Sequence, residues 1–413
     1  MPSAAVVSGS TRSAASSPFS RRYGVRYSML NQIVLAPLDR TGPTLWSHMR
    51  LCALRGALST SHAANTWVLH DPRVWLGTAF HRVMEVAARP DATDAAVEQA
   101  WTEAVAEAAT AAAAHPLDAR YSVPDRWPNY FLVRQRAMSS ARSAIAANIG
   151  SKQGALRGGT SFTERLLVAR GGRLAGRPDR FDGRVLTEYK SSIPDTAWRG
   201  AAAVLEGFRR QLRLYAAIIA DGRGNWPIEG RVVAASGQTM NVPLEPATCE
   251  AEADAALAAL DELNHHLAAG GPPEALAQPG EEACGGCPFQ ALCPAFWPWL
   301  AASGSERLPE TAAAGMLDRI ELGQDGDLYT AYLAVHQPAM PPGLHPLVLR
   351  RSIHGDLTAS SRGAKWRVVS ANLKPDGRLR ADLSTCVFSL DDLPDIVASN
   401  APAGAIQPRS MGN

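Results

Sequence analysis

The stretch GRPDRFDGRVLTEYKSS, Gly176 to Ser192, decides how the rest of the chain is read. Asp182-Gly183 is a turn signal, because an Asp-Gly pair accepts the positive φ angles of a two-residue type I′ loop. With those residues as the loop, Phe181 pairs with Arg184 and Asp179 with Leu186. Side chains alternate faces along a strand, so Leu186, Glu188 and Lys190 share a face, and Asp179 shares it with them. Asp179 and Glu188 become diagonal cross-strand neighbours, roughly 7–8 Å apart at the backbone and closer at the carboxylates. One divalent cation fits between two carboxylates at that spacing. Lysine is scarce here: only Lys152, Lys190, Lys365 and Lys374 occur among 41 basic residues, and one of them follows Glu188 by two positions. An amphipathic hairpin with a solvated polar face is the plain alternative for so short a pattern. The rest of the chain argues against it.

Four short patterns occur in order. Gly77–His81 reads GTAFH and opens an amphipathic helix, Gly176–Asp179 reads GRPD, Glu188–Lys190 reads EYK, and Gln211–Tyr215 reads QLRLY. The last lies on a helix, where positions i and i+4 share a face. Together they resemble the landmarks of the PD-(D/E)xK nuclease superfamily, in particular its RecB-like branch. That branch includes nuclease domains of recombination helicase-nucleases and the CRISPR-associated iron–sulfur exonucleases. The resemblance covers about Thr44 to Trp297. It implies an α/β fold with a restriction-endonuclease-like core, a mixed central sheet flanked by helices, here carrying a helical insertion and a C-terminal β-rich extension. It also implies that Asp179, Glu188 and His81 ligate Mg²⁺ or Mn²⁺, with the Tyr189 carbonyl as a further ligand. Oxygen ligands suit those ions, and the imidazole tilts the set toward Mn²⁺. Lys190 would orient the attacking water and counter charge growing on the phosphorane. Gln211 and Tyr215 would hold the substrate or the lysine. Glu164 stands where family members carry a supporting glutamate, one shell out from the metal.

The six cysteines add a fifth landmark. Cys284, Cys287 and Cys293 form C-x2-C-x5-C, and Cys52 precedes the His81 helix. Iron–sulfur members of the family share this arrangement, so the resemblance implies a [4Fe–4S] cluster on Cys52, Cys284, Cys287 and Cys293. Tetrahedral zinc uses the same four thiolates, and the spacing does not separate the two. Nothing indicates secretion, which disfavours disulfides. Either metal would staple the two ends of the domain together. Cys249 and Cys386 read as small buried apolar residues.

At 413 residues the chain has room for two or three domains, and three segments are expected: a disordered tail over 1–36, the nuclease domain over 37–300, and a β-rich accessory domain over 301–413. An upstream start codon ahead of Met29 is the alternative origin for the tail. The accessory segment could be an OB-like strand-binding barrel or a protein-docking module. Net charge is only +2, yet residues 116–190 hold fourteen Lys/Arg against six Asp/Glu. A basic band beside the hairpin suits a phosphate-backbone track, and a solvated arginine-rich helix is the bland alternative. Trp127, Tyr130 and Phe131 could stack bases or fill a core. Ala-rich helix is expected over 92–114 and another helix over 130–149. No apolar run is long enough for a transmembrane helix, and a cytoplasmic location is expected.

These readings converge on a metal-dependent DNA nuclease, an exonuclease by its resemblance, working in repair, recombination or phage defence. The alternative is a non-catalytic iron–sulfur subunit that binds DNA and scaffolds a helicase-nuclease or integration complex. No G-x-x-x-x-G-K-[ST] motif occurs, so a helicase would be a partner rather than a part of this chain.

Overall fold

A computed structural model describes residues 32–151, 161–197, 200–303, 308, 311–335, 343–355, 357, 360 and 362–399. The chain divides into two compact units: residues 31–311 together with the segment from Pro394, and residues 312–393. The expected tail lies outside the described residues as far as residue 31. Its expected end at 36 is not kept, because Gln32–Leu35 forms strand β1 and pairs in parallel with a strand at Asp395–Ala398. Ile33 and Leu35 are buried, which is why four residues with the alternation QIVL join the core rather than the tail. The C-terminal segment expected to belong wholly to the accessory domain therefore returns a strand to the first unit.

Two helices, α1 (Pro43–Leu51) and α2 (Ala53–Thr60), meet at Cys52, whose extended backbone caps both. Helix α3 (Pro72–Ala87) starts at Asp71, whose side chain accepts from the Arg73 N–H, with Pro72 at the first helical position. Helix α4 (Asp94–Ala114) starts at Thr93, whose hydroxyl accepts from Ala96 N, and α5 (Tyr130–Ser151) follows. These three helices form the insertion and bury Phe80, Val83, Trp101, Trp127 and Met138 in one cluster.

Strand β2 (Phe162–Thr163) is followed by the short hairpin of β3 (Leu167–Ala169) and β4 (Leu174–Gly176). Then come β5 (Arg180–Phe181), β6 (Val185–Lys190), helix α6 (Ala201–Arg223), β7 (Glu229–Ala234) and β8 (Thr239–Val242). The central sheet has the order β2-β5-β6-β7-β8, with β6 and β7 parallel and the other pairs antiparallel. A parallel pair needs a long crossover, and α6 supplies it. Tyr189 and Val233 pack into the insertion, whereas Gly230 of β7 lies under Leu212 of α6. The sheet is thus the middle of three layers, as in a restriction-endonuclease-like core. Helix α7 (Pro246–Ala268) packs on α6, and Glu252 on it accepts from Trp46 Nε1 of α1 and pairs with Arg210 of α6. Helix α8 (Phe296–Ser303) follows the cysteine segment.

The second unit contains β9 (Thr311–Leu322), β10 (Leu328–Val335), β11 (Gly343–Arg350), β12 (Lys365–Leu373), β13 (Leu379–Arg380) and β14 (Cys386–Ser389). Their pairings run β13-β11-β10-β9-β12-β14, and β13 also pairs with β12, so five strands close into a ring around a core that includes Tyr329, Leu347 and Val368. Closure gives each of those five strands a neighbour on both sides, and β14 is added on β12.

Ile33→Ala tests whether β1 is structural. It should lower the stability of the first unit by about 2–5 kcal/mol in a denaturant titration, as expected for a large-to-small change in a core. A change within ±0.5 kcal/mol would return the segment to the tail.

Candidate active site

Strands β5 and β6 pair as Arg180↔Thr187 and Phe181↔Leu186, and Asp182 N donates to Val185 O. The loop is therefore Gly183-Arg184, one residue later than the sequence suggests. Asp182 causes the shift: its Oδ1 accepts from the N–H groups of Arg184 (2.9 Å) and Val185 (2.7 Å), and only Gly183 takes a positive φ, 97°. Moving the loop by one residue moves every facing pair by two positions, which preserves the face of each side chain. Asp179 still faces Glu188, now directly opposite rather than diagonal.

Asp179 is 5% exposed. Its Oδ2 accepts from the Tyr189 backbone N–H at 2.5 Å, and its Oδ1 lies 3.1 Å from His81 Nδ1. Glu164 reaches the same imidazole nitrogen at 3.8 Å, and its backbone N–H donates to the Asp179 carbonyl. Glu164 holds a φ of +47°, a conformation unusual outside glycine that persists here beside two anchoring contacts. His81, Glu164 and Asp179 each offer a ligand atom within 4.8 Å of the others. The sequence reading put Glu164 one shell out and Glu188 in the ligand set. The structure instead groups Glu164 with Asp179 and His81. Glu188 Oε1 accepts from Lys190 Nζ (2.8 Å) and Gln211 Nε2 (2.7 Å), and Gln211 Oε1 accepts from the same ammonium (2.9 Å). Glu188 Oε2 is buried with no hydrogen-bond partner among the described residues.

Burial pushes the Glu188 pKa up to about 7, against the pull of Lys190. Burial also opposes the charged form of His81, but hydrogen bonds to Asp179 and Glu164 outweigh it and raise its pKa to about 10. The cluster therefore attracts positive charge: a proton occupies the imidazole facing two carboxylates, and one buried oxygen has none. Oxygen donors with a single imidazole are the set that Mg²⁺ or Mn²⁺ takes.

The family landmarks also touch one another. Tyr215 donates to the Arg177 carbonyl at 3.2 Å, and its ring lies against Gly176, where an added Cβ would sit 2.7 Å from Cε1. Helix α6 thereby fixes both the start of the hairpin and, through Gln211, the lysine. Gly77 has no such role, since a Cβ there would meet nothing within 4 Å. The family model of the PD-(D/E)XK nuclease superfamily matches residues 48–294, more than half of the chain. The chain belongs to the PD-(D/E)XK nuclease superfamily. A search of the curated proteins finds no match.

Within the matched span, Cys52, Cys284, Cys287 and Cys293 line one cavity together with Arg55 and Phe296. Gln278 N–H donates to Cys52 Sγ at 3.4 Å, and backbone groups of Gly280, Phe289, Ala295 and Phe296 hydrogen-bond the other three sulfurs. Burial pushes Cys287 up to about 12 and Cys293 to about 11, which favours the thiol form of both. Cys249 and Cys386 are buried apart from this cavity.

The basic band resolves into several roles. Arg134 pairs with Glu98, Arg142 with Asp94, Arg173 with Asp261, and Arg170 with Asp221, Glu250 and Asp254. These are ties between elements made by partly exposed side chains. Arg136 turns instead into a pocket with Arg180 and Arg231 on the Tyr189 side of the sheet. Lys152 and Arg157 lie outside the described residues. Trp127 is 2% exposed and donates to the Tyr121 carbonyl, and Tyr130 packs against it, so both fill the insertion core; Phe131, 67% exposed, is the one aromatic of the three able to stack. A groove lined by Arg50, Arg55, Lys190, Phe208 and Gln211 runs from the lysine to Gly285 in the cysteine segment. No described helix is long and apolar enough to cross a membrane.

Gly176→Ala tests the contact between landmarks. The new methyl meets a buried ring backed by Ile218, so stability should fall by roughly 1–3 kcal/mol by denaturant titration. Gly77→Ala should leave it unchanged or raise it slightly.

Proposed function

We propose that this chain is a divalent-metal-dependent deoxyribonuclease, acting as an exonuclease in DNA repair, recombination or phage defence, within the RecB-like iron–sulfur branch of its superfamily. The observation that carries the reading is the pairing of a donor set, His81, Glu164 and Asp179, with an ammonium, Lys190, held by Glu188 and Gln211. A protein that only bound or scaffolded DNA would have no use for carboxylates buried at this cost.

Asp179, Glu164 and His81 would hold Mg²⁺ or Mn²⁺, with the free Glu188 Oε2 and the Tyr189 carbonyl completing the shell. Bound there, the ion would lower the pKa of a water and polarise the scissile phosphoryl group. The rest falls to the chain itself. Lys190 directs its charge at the oxygens that become more negative as the phosphorane forms, and Gln211 keeps it from swinging away. Tyr189 N–H fixes the rotation of Asp179, leaving Oδ1 turned to the donor set. Phe208, over which Lys190 Nζ sits at 5.3 Å, limits water around the ammonium.

The shared cavity of Cys52, Cys284, Cys287 and Cys293 supports the reading of a [4Fe–4S] cluster on these four thiols. N–H groups aimed at the sulfurs, and Arg55 beside them, offset the negative charge of a thiolate-bound cluster. Single strands delivered by a helicase, or duplex ends, are the proposed substrates.

Lys190→Ala should cut cleavage of end-labelled DNA with Mn²⁺ by about 10²–10³-fold while DNA affinity and Mn²⁺ affinity stay close to the parent. Glu164→Gln should instead weaken Mn²⁺ binding in a calorimetric titration. Undiminished cleavage by the lysine variant would end the catalytic assignment. Anaerobically purified protein should be brown and contain about four irons per chain, and Cys287→Ser should lose both. Colourless protein with one zinc on these thiols would replace the cluster by zinc.

A further inference from the structure

A second donor cluster lies in the helical insertion, about eleven residues from His81 along α3 and hence roughly 15 Å away. Asp118, 3% exposed, stands in the 3-10 turn that follows α4. Its Oδ1 accepts from the His70 backbone N–H at 2.8 Å. Its Oδ2 lies 2.7 Å from His70 Nδ1 and 3.2 Å from His115 Nδ1. The three donor atoms are mutually within 4.8 Å.

The tautomer of His115 distinguishes this cluster from an ordinary buried ion pair. His115 Nε2 faces the Asn65 carbonyl at 3.3 Å, an acceptor only, so the neutral ring carries its proton there. The Nδ1 lone pair then accepts from the Asp118 backbone N–H at 3.3 Å and lies 3.2 Å from Asp118 Oδ2, so an ion bound here would take the place of that N–H contact. Imidazoles that bind metal are fixed in this way, with the second ring nitrogen donating to a backbone carbonyl. Zinc bonds of about 2.0–2.2 Å to nitrogen and oxygen put tetrahedral ligands roughly 3.3–3.5 Å apart, so His115 and Asp118 already stand near that spacing while His70 and Asp118 would part by about 0.6–0.8 Å. Two imidazoles with one carboxylate favour a borderline transition ion over Mg²⁺ or Ca²⁺.

We infer that His70, His115 and Asp118 form a zinc site, separate from the catalytic centre, that ties the start of α3 to the end of α4. The ligands come from the segment leading into α3 and from the C-terminal side of α4. The ion therefore braces the helix that carries His81 at the end remote from the chemistry.

Zinc binding to the full-length protein decides the matter, measured by equilibrium dialysis with metal analysis, alongside thermal melts with and without Zn²⁺. The wild type should bind one more Zn²⁺ than His70→Ala and than Asp118→Asn, and only the wild type should gain melting temperature through that extra ion. Affinity at this site should fall by more than about 100-fold in each variant, beyond what loss of a supporting partner costs. His81→Ala should keep the extra zinc. His70 is more than a third exposed and Asp118→Asn is isosteric, so circular dichroism should report both as folded. Wild-type zinc stoichiometry in both variants, or no extra zinc in the wild type, would overturn the assignment.

Discussion

Two carboxylates buried against each other in the middle layer of a domain are the constraint around which this structure is arranged. Asp179 and Glu188 are 5% and 2% exposed, and taking such groups from water is costly unless each is hydrogen-bonded or paired. The chain meets that cost from three directions. Strand β6 turns its own Tyr189 N–H to Asp179, helix α6 brings Gln211 to Glu188, and helix α3 brings His81. The crossover that makes β6 and β7 parallel is also what positions α6 for this task. Fold and site are here one arrangement.

Much of this was legible in the chain because the relevant signals are local. The alternation around the hairpin assigned Asp179 and Glu188 to one face, and that assignment survived an error in the loop. A hairpin loop displaced by one residue changes the facing pairs by two, and side chains repeat with period two. The helix over 92–114 was readable from its alanines, though its first turn begins at Asp94 because the Thr93 hydroxyl caps it. The QLRLY spacing put Gln211 and Tyr215 on one helix face, and both turned to the hairpin.

What the sequence hid was long-range or depended on competition between partners. Nothing in QIVL announces a partner strand more than three hundred residues later. The arginines of the basic band look alike as letters, yet Arg134 and Arg142 meet carboxylates on α4 while Arg136 turns to Arg180. Trp127 and Tyr130 could stack bases or fill a core, and only the surrounding helices decide. Glu164 and Glu188 differ by what reaches them first: the lysine and glutamine claim Glu188 Oε1, leaving Glu164 to share His81 with Asp179.

The parallel pairing of β1 with the strand at Asp395–Ala398 bears on how the protein is made. Gln32 leaves the ribosome 363 residues before its partner Asp395. At synthesis rates of about 5–20 residues per second, that is a wait of roughly 20–70 s. Loop length itself adds little to the equilibrium cost, since closure entropy grows only with the logarithm of the span. During the interval, however, Ile33 and Leu35 have no strand beside them, and the whole ring-forming unit of residues 312–393 is produced before the first unit can be completed. The domain begun first is therefore finished last, and its apolar N-terminal strand is what a nascent chain of this protein has to shelter.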